Sequence, residues 1–296
     1  MFKQSSGLKM LALQLLFIFF VQISGAQNDI NKGAVRDTTS QSEQPIPPPP
    51  DSAYIARASD SSWWKRKIAN EAFGVGEYLE FGVNYGILPA GRAIMQIPEI
   101  IDYDGARCYK ILSIAQSNGF VSQFYKVEDT VFTYVDCDGI FTHYFRKHLH
   151  EGGYRADKTT YFDQRRHLAI TGNDTVPTYS FVQDAFSSLY YVRTQDIEPG
   201  KDILIDNHTD KKNYPLKILV LGRETIEVPA GKFDCIIVQP VMREEGIFKA
   251  KGTIKIWLTD DKYKIPVKMQ TEVFFLGSIV AKLKKLQYGD ISGNGG

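Results

Sequence analysis

Residues 77–85 read Glu-Tyr-Leu-Glu-Phe-Gly-Val-Asn-Tyr. Large apolar side chains recur there at every second position. Leu79, Phe81, Val83 and Tyr85 therefore fall on one face of an extended strand. The same period runs outward along the chain. Pro89-Ala90-Gly91 makes a turn, and residues 92–97 begin the next strand. Strands follow at 107–115 and at 124–134, the latter rich in aromatic and β-branched residues. Residues 141–149 and 154–162 form a hairpin across Glu151-Gly152-Gly153, and 167–171 is a shorter strand before Gly172-Asn173-Asp174. A second strand-rich section covers 202–207, 214–222, 223–228, 233–240, 249–259, 266–275 and 278–287. Within it Ile254, Ile256 and Leu258 share a face, with Trp257 opposite, and Val267 and Met269 share another.

Between the two sections Val182, Ala185, Phe186, Leu189, Tyr190 and Arg193 recur at spacings of three and four, which predicts a helix over 182–194 capped by Ser180. Asp184 near its start and Arg193 near its end complement the helix dipole. A short N-terminal helix is expected from about 62 to 73, stopped by Gly74 and Gly76. No connection is long enough for a crossover helix, so sequential antiparallel pairing is the simplest topology. Twelve to fourteen such strands curl into a barrel or split into two packed sheets. The expected fold is mainly β (α+β): a large curved antiparallel sheet, barrel-like or two-layered, with one covering α-helix and the short N-terminal helix.

Of the 296 residues, 43% are hydrophobic, too many for a disordered chain. The formal charge is +1, and the chain has no long basic stretch, which argues against nucleic acid as a partner. Lys3 and Lys9, the apolar run 10–23 and Ser24-Gly25-Ala26 have the layout of a signal peptide cleaved after Ala26. The run is short of the roughly 20 residues that span a bilayer, and no later segment is apolar enough to cross as a helix. Periplasmic or exported location follows from this layout. Residues 27–60, with Pro45 and Pro47 to Pro50, read as a mobile leader. Residues 61–288 form a single β-rich domain, and 289–296 a frayed tail. Cys108, Cys137 and Cys235 form no CxxC. They are either three buried small apolar residues, or one disulfide and a free thiol.

The chain has no GxSxG, HExxH, phosphate loop or dinucleotide fingerprint, so no catalytic residue and no cofactor is assigned. His148 and His150 lie two apart on a strand and face the same way, while His143 has the opposite parity unless a bulge intervenes. They are weak metal candidates, because zinc needs three or four ligands. Asp136 with Asp138, and Glu244 with Glu245, sit in turns and give a hydrolase little support.

The landmarks Gly76-Glu77-Tyr78-Leu79, Val83-Asn84-Tyr85-Gly86, Ala90-Gly91, the run from Gln183 to Arg193, Ile256-Trp257-Leu258-Thr259-Asp260-Asp261, Ile265-Pro266-Val267 and Gly277-Ser278-Ile279 occur in an order and spacing that resembles DUF3108, a family of exported bacterial proteins of unknown function. The resemblance covers about residues 74–287. It implies a fold similar to the curved sheets of periplasmic lipoprotein carriers, which hold acyl chains, and it transfers no catalytic residue. Gly91, Asp184, Arg193, Gly231, Trp257, Asp261, Pro266 and Gly277 read as structural landmarks.

The expected function is non-enzymatic: a binding or carrier protein for an apolar or amphipathic ligand such as a lipid. The ligand groove would be lined by Leu79, Phe81, Val83, Tyr85, Phe186, Leu189, Tyr190, Ile254, Ile256, Leu258, Val267 and Met269, with the helix as a lid. The alternatives are a structural or protein-interaction component of the envelope, and a hydrolase.

Overall fold

The alternating stretch forms strand β1 (Tyr78–Tyr85), near the middle of one fourteen-strand antiparallel sheet. The structure is a computed structural model that describes residues 66–242, 253–273 and 277–292. The signal-peptide layout, the leader, the first residues of the N-terminal helix and positions 293–296 lie outside the described residues. One side of the sheet is β2 (Leu88–Tyr103), β3 (Ala106–Ser117), β4 (Glu128–Asp136), β5 (Thr142–Glu151), β6 (Tyr154–Asp163), β7 (Leu168–Thr171) and β8 (Asp174–Pro177). The other is β9 (Ile203–Thr209), β10 (Lys212–Val228), β11 (Gly231–Met242), β12 (Thr253–Thr259), β13 (Pro266–Val273) and β14 (Gly277–Gln287). Helices α1 (Gly119–Ser122) and α2 (Ala185–Arg193) complete the described elements.

Neighbouring strands are consecutive in sequence except at one place: β1 pairs with β14, from Tyr78 opposite Gln287 to Tyr85 opposite Ile279. That pairing joins the two strand-rich sections and leaves β8 and β9 as the free edges. The chain between those edges carries α2. The edges approach without forming a ladder. Asn213 Nδ2 donates to Pro177 O at 2.8 Å, Lys211 pairs with Asp174, and Gln183 forms a single bridge to Asn207 beside β9. The sheet therefore curls round almost fully and stops at a seam.

Helix α2 packs against the sheet with every side chain but Tyr191 buried. Its cap is Asp184, four residues beyond the expected Ser180. Asp184 Oδ1 accepts from the amides of Phe186 and Ser187 at 2.7 and 3.0 Å, and Ser187 Oγ accepts from the Asp184 amide. Its other oxygen accepts from Thr133 and Thr142 at 2.5 and 2.7 Å, which pins the helix start to β4 and β5. Burial raises the carboxyl's pKa against these hydrogen bonds. Asp184→Ala leaves two hydroxyls and two amides without their acceptor, and about 3 kcal/mol of stability is expected to be lost. A urea midpoint unchanged from wild type would contradict this role.

Arg193 closes the other end of α2. It is fully buried and grips Glu77, itself 1% exposed, at 2.8 and 2.6 Å. It also donates to Ala72 O and Tyr263 O and stacks against Phe73 and Tyr190.

The remaining landmarks have local causes. At Gly91 a Cβ would meet Gln116 O at 2.2 Å, so only glycine lets β2 and β3 approach there. Gly231 begins β11 after the two-residue turn that follows Val228. Asp261 Oδ1 accepts from Thr259 Oγ1 and from the amides of Tyr263 and Lys264, which builds the β12–β13 turn ahead of Pro266. Trp257 donates to Glu224 at 2.7 Å and lies under Lys268, while Gly277 pairs with Val273 at the start of β14.

Several boundaries differ from expectation. Residues 66–73 form no helix. Asn118 caps α1 and delays β4 to Glu128, so 124–127 is not strand. Residues 212–228 are one strand with a register shift between Val220 and Gly222. Beyond β14, Asp290 bridges to Val75, which anchors the chain that far.

Candidate functional site

The twelve residues expected to line a groove lie together. Eleven of them are buried in one apolar cluster, and Tyr85 packs partly buried against it. Leu79, Phe81, Leu258 and Val267 are wholly inaccessible. Close packing of this kind is what makes the curved sheet stable.

A cleft of about 970 Å³ opens elsewhere, at the seam. Strand β6 contributes Asp157, Lys158, Thr159 and Tyr161, and the β7–β8 hairpin contributes Ile170 to Asp174. The β9–β10 turn faces them with Asp210, Lys211, Lys212 and Tyr214. Both turn residues have positive φ, 47° at Asp210 and 67° at Lys211. A two-residue hairpin turn between the paired Thr209 and Lys212 requires that conformation at both positions. Ionic contacts then hold the turn in place. Asp210 pairs with Lys147 at 2.6 Å, and Lys158 stands at 3.9 Å, while Lys211 reaches Asp174. The turn is thus fastened to the opposite edge of the sheet.

This fastening uses most of the charge. Asp157 is bound by Arg146 in a two-pronged pair at 2.9 and 2.8 Å. Lys212 is left exposed with no acidic partner among the described residues. Tyr161, Ile170 and Tyr214 supply apolar surface beside it. Burial, and then the Asp210 charge, raise the Tyr214 hydroxyl pKa, so the ring stays neutral.

Inside the sheet next to the cleft lies a second polar group. Asp129, Lys147 and Glu151 all point inward and are buried. Asp129 Oδ1 accepts from the His150 amide at 2.7 Å, but its Oδ2 and Glu151 Oε1 have no hydrogen-bond partner among the described residues. Burial pushes the Asp129 carboxyl up to about 7. Burial and then the Asp129 charge push Glu151 up to about 8. Burial pulls the Lys147 ammonium down, opposed by Asp210.

The histidine candidates separate. His148 is exposed 3.6 Å from Asp157, and His150 lies 3.7 Å from Glu128. His143 sits beside the register shift at Val135 and pairs with Asp136 at 3.1 Å. The described residues contain no group of three His, Cys, Asp or Glu arranged to hold a metal ion. All three cysteines are free thiols.

Neither the seam nor the buried carboxyls were identified from sequence. Asp174 and Lys211 are far apart in the chain, and each reads as an ordinary turn residue. The one local signal was Asp210-Lys211 placed between two strand patterns without a glycine.

A family model described as protein of unknown function, DUF3108, matches residues 80–284. The search of curated proteins finds no match. Among solved structures, a β-barrel-like protein of the domain of unknown function DUF1849 from Brucella abortus is 12% identical. It aligns over 74% of this chain and 100% of its own, with a TM-score of 0.51. That likeness concerns the fold alone. A DUF1089 family protein from Pseudomonas aeruginosa is similar over 62% of this chain and 90% of its own, at 10% identity and a TM-score of 0.38, too low to define a common fold.

Proposed function

The chain belongs to the DUF3108 family, and for this member we propose a non-enzymatic binding or carrier role in the bacterial envelope, with an amphipathic ligand held at the seam. The observation that carries the reading is the cleft left where the fourteen-strand sheet fails to close. Its volume suits one lipid-sized or smaller ligand. Tyr161, Ile170 and Tyr214 would cover the apolar part. Lys212, whose charge has no acidic partner among the described residues, would meet an anionic head. The signal-peptide layout at residues 1–26 supports export, and no described helix is long and apolar enough to cross a membrane.

Native mass spectrometry of protein from an exporting bacterial host, purified without detergent, tests this reading. A stoichiometric adduct that extracts as an anionic amphiphile is expected. Lys212→Glu with Tyr161→Ala is expected to remove the adduct while lowering stability by no more than about 2 kcal/mol, mostly from the lost Tyr161–Tyr144 ring contact. A clean apo mass that stays unchanged when envelope lipids are added would sink the proposal. The second reading, an interaction component of the envelope, has one observation in its favour: large apolar side chains exposed at one end of the sheet.

A further inference from the structure

Strands β1, β3, β7 and β9 run in the same direction, as the antiparallel order requires, so the turns after them share one end of the molecule. Two of those turns carry exposed apolar tips. Ile87 is 93% and Leu88 59% exposed after β1; Phe120 and Phe124 are 67% and 75% exposed after β3. The tips form one rim. Asn118 donates to Ala90 O and Pro89 O at 2.9 and 2.6 Å, and the Phe120 and Phe124 rings meet edge to face at 5.6 Å. Leaving four such side chains in water is unfavourable, and patches of this kind mark contact surfaces.

Charge favours one occupant. The segments 81–98 and 105–127 contain no carboxylate. Among the described residues Arg92, which flanks the rim, is bonded only by the neutral Gln116 side chain, and Lys126 stands half exposed on the other side, paired with Glu128. The apolar tips amount to roughly 500 Å², within the size range of functional apolar patches. Loop-tip apolar groups beside an arginine with no acidic partner among the described residues suit shallow insertion among acyl chains beneath phosphate head groups.

We infer that this end of the protein docks on a lipid surface through Ile87, Leu88, Phe120 and Phe124, with Arg92 at the phosphates. The seam turns at 172–173 and 210–211 lie at the same end, so docking turns the cleft mouth toward the lipid. The inference relies on the proposed function only for its setting in the envelope.

Co-sedimentation with protein-free vesicles, three parts phosphatidylethanolamine to one part phosphatidylglycerol, tests it. The wild-type protein is expected to sediment with them. Phe120→Ser with Phe124→Ser is expected to weaken binding about a hundredfold, with the melting temperature and the cleft adduct unchanged. Arg92→Glu is expected to weaken binding and reduce its salt dependence. The cleft variant Lys212→Glu, Tyr161→Ala is expected to bind vesicles normally, so either proposal can fail alone. Wild-type protein that ignores lipid vesicles, or a phenylalanine double variant that binds as well as wild type, would overturn the inference. Sedimentation only with protein-bearing envelope vesicles would also overturn it and assign the rim to a protein partner.

Discussion

Arg193→Met is expected to lower the free energy of unfolding by about 3–5 kcal/mol. The guanidinium is wholly buried and grips both oxygens of a buried Glu77. Burial alone would lower the pKa of Arg193, but the adjoining Glu77 carboxylate outweighs it, so the net direction is up. Methionine fills similar volume yet leaves Glu77 unpaired in the core. It also frees Ala72 O and Tyr263 O, which ties the N-terminal segment and the β12–β13 turn to the same loss. Adding Glu77→Gln is expected to recover part of the stability, because the stranded charge is then gone. Urea unfolding of the three variants measures this directly. A loss below about 1 kcal/mol for the single variant would mean that the pair is solvated.

The second large effect depends on pH. Asp129 and Glu151 have carboxyl pKa values pushed up to about 7 and about 8 by burial. Their contribution to stability is therefore complete below about pH 4, where folded and unfolded states both hold the proton. It is lost as pH rises toward the folded values, because the unfolded chain releases its protons first. For Asp129 alone the shift from 3.8 to about 7 corresponds to a loss on the order of 4 kcal/mol. Asp129→Asn keeps the shape and the acceptor for the His150 amide and removes the titration. Relative to wild type it is expected to be nearly neutral at pH 4 and stabilising by roughly 2–4 kcal/mol at pH 8. Glu151→Gln should act in the same direction. The two gains should not add, because the carboxyls titrate as a pair. A stability difference that stays flat across this range would show that Asp129 is hydrated.

The strands were legible wherever one face is buried and the other is not. Leu79, Phe81 and Val83 on β1 obey that rule, and so do Val131, Thr133 and Val135 on β4. The reading failed where the rule has no purchase. Strand β8 has four residues and none is buried, so it carried no alternation. Strand β10 was divided because the register shift at Gly222 breaks the alternation. Residues 124–127 have strand-like composition, but the Asn118 cap commits the preceding chain to α1. The helix was found from its apolar stripe, whereas its cap was misplaced. Phe181 takes a positive φ of 57° and Gln183 pairs beside β9, which keeps the chain extended until Asp184.

The candidate site was hidden for a different reason. Large apolar side chains suggested a groove, yet the same chemistry makes a core, and packing density decides between them. The cleft instead comes from topology. It exists because β1 pairs with β14, which leaves β8 and β9 to face each other. Lys158, Asp174, Asp210 and Lys211 become a fastening only after that closure. No local pattern in the sequence encodes it.

Photolabelling with a diazirine-bearing fatty acid, followed by peptide mapping, locates the bound ligand. Labels are expected on residues 157–174 and 210–214, the two sides of the seam. Labels concentrated on Leu79–Tyr85, Ile254–Leu258 or Val267–Met269 would contradict the account, because the ligand would then occupy the packed interior and not the gap where the sheet fails to close.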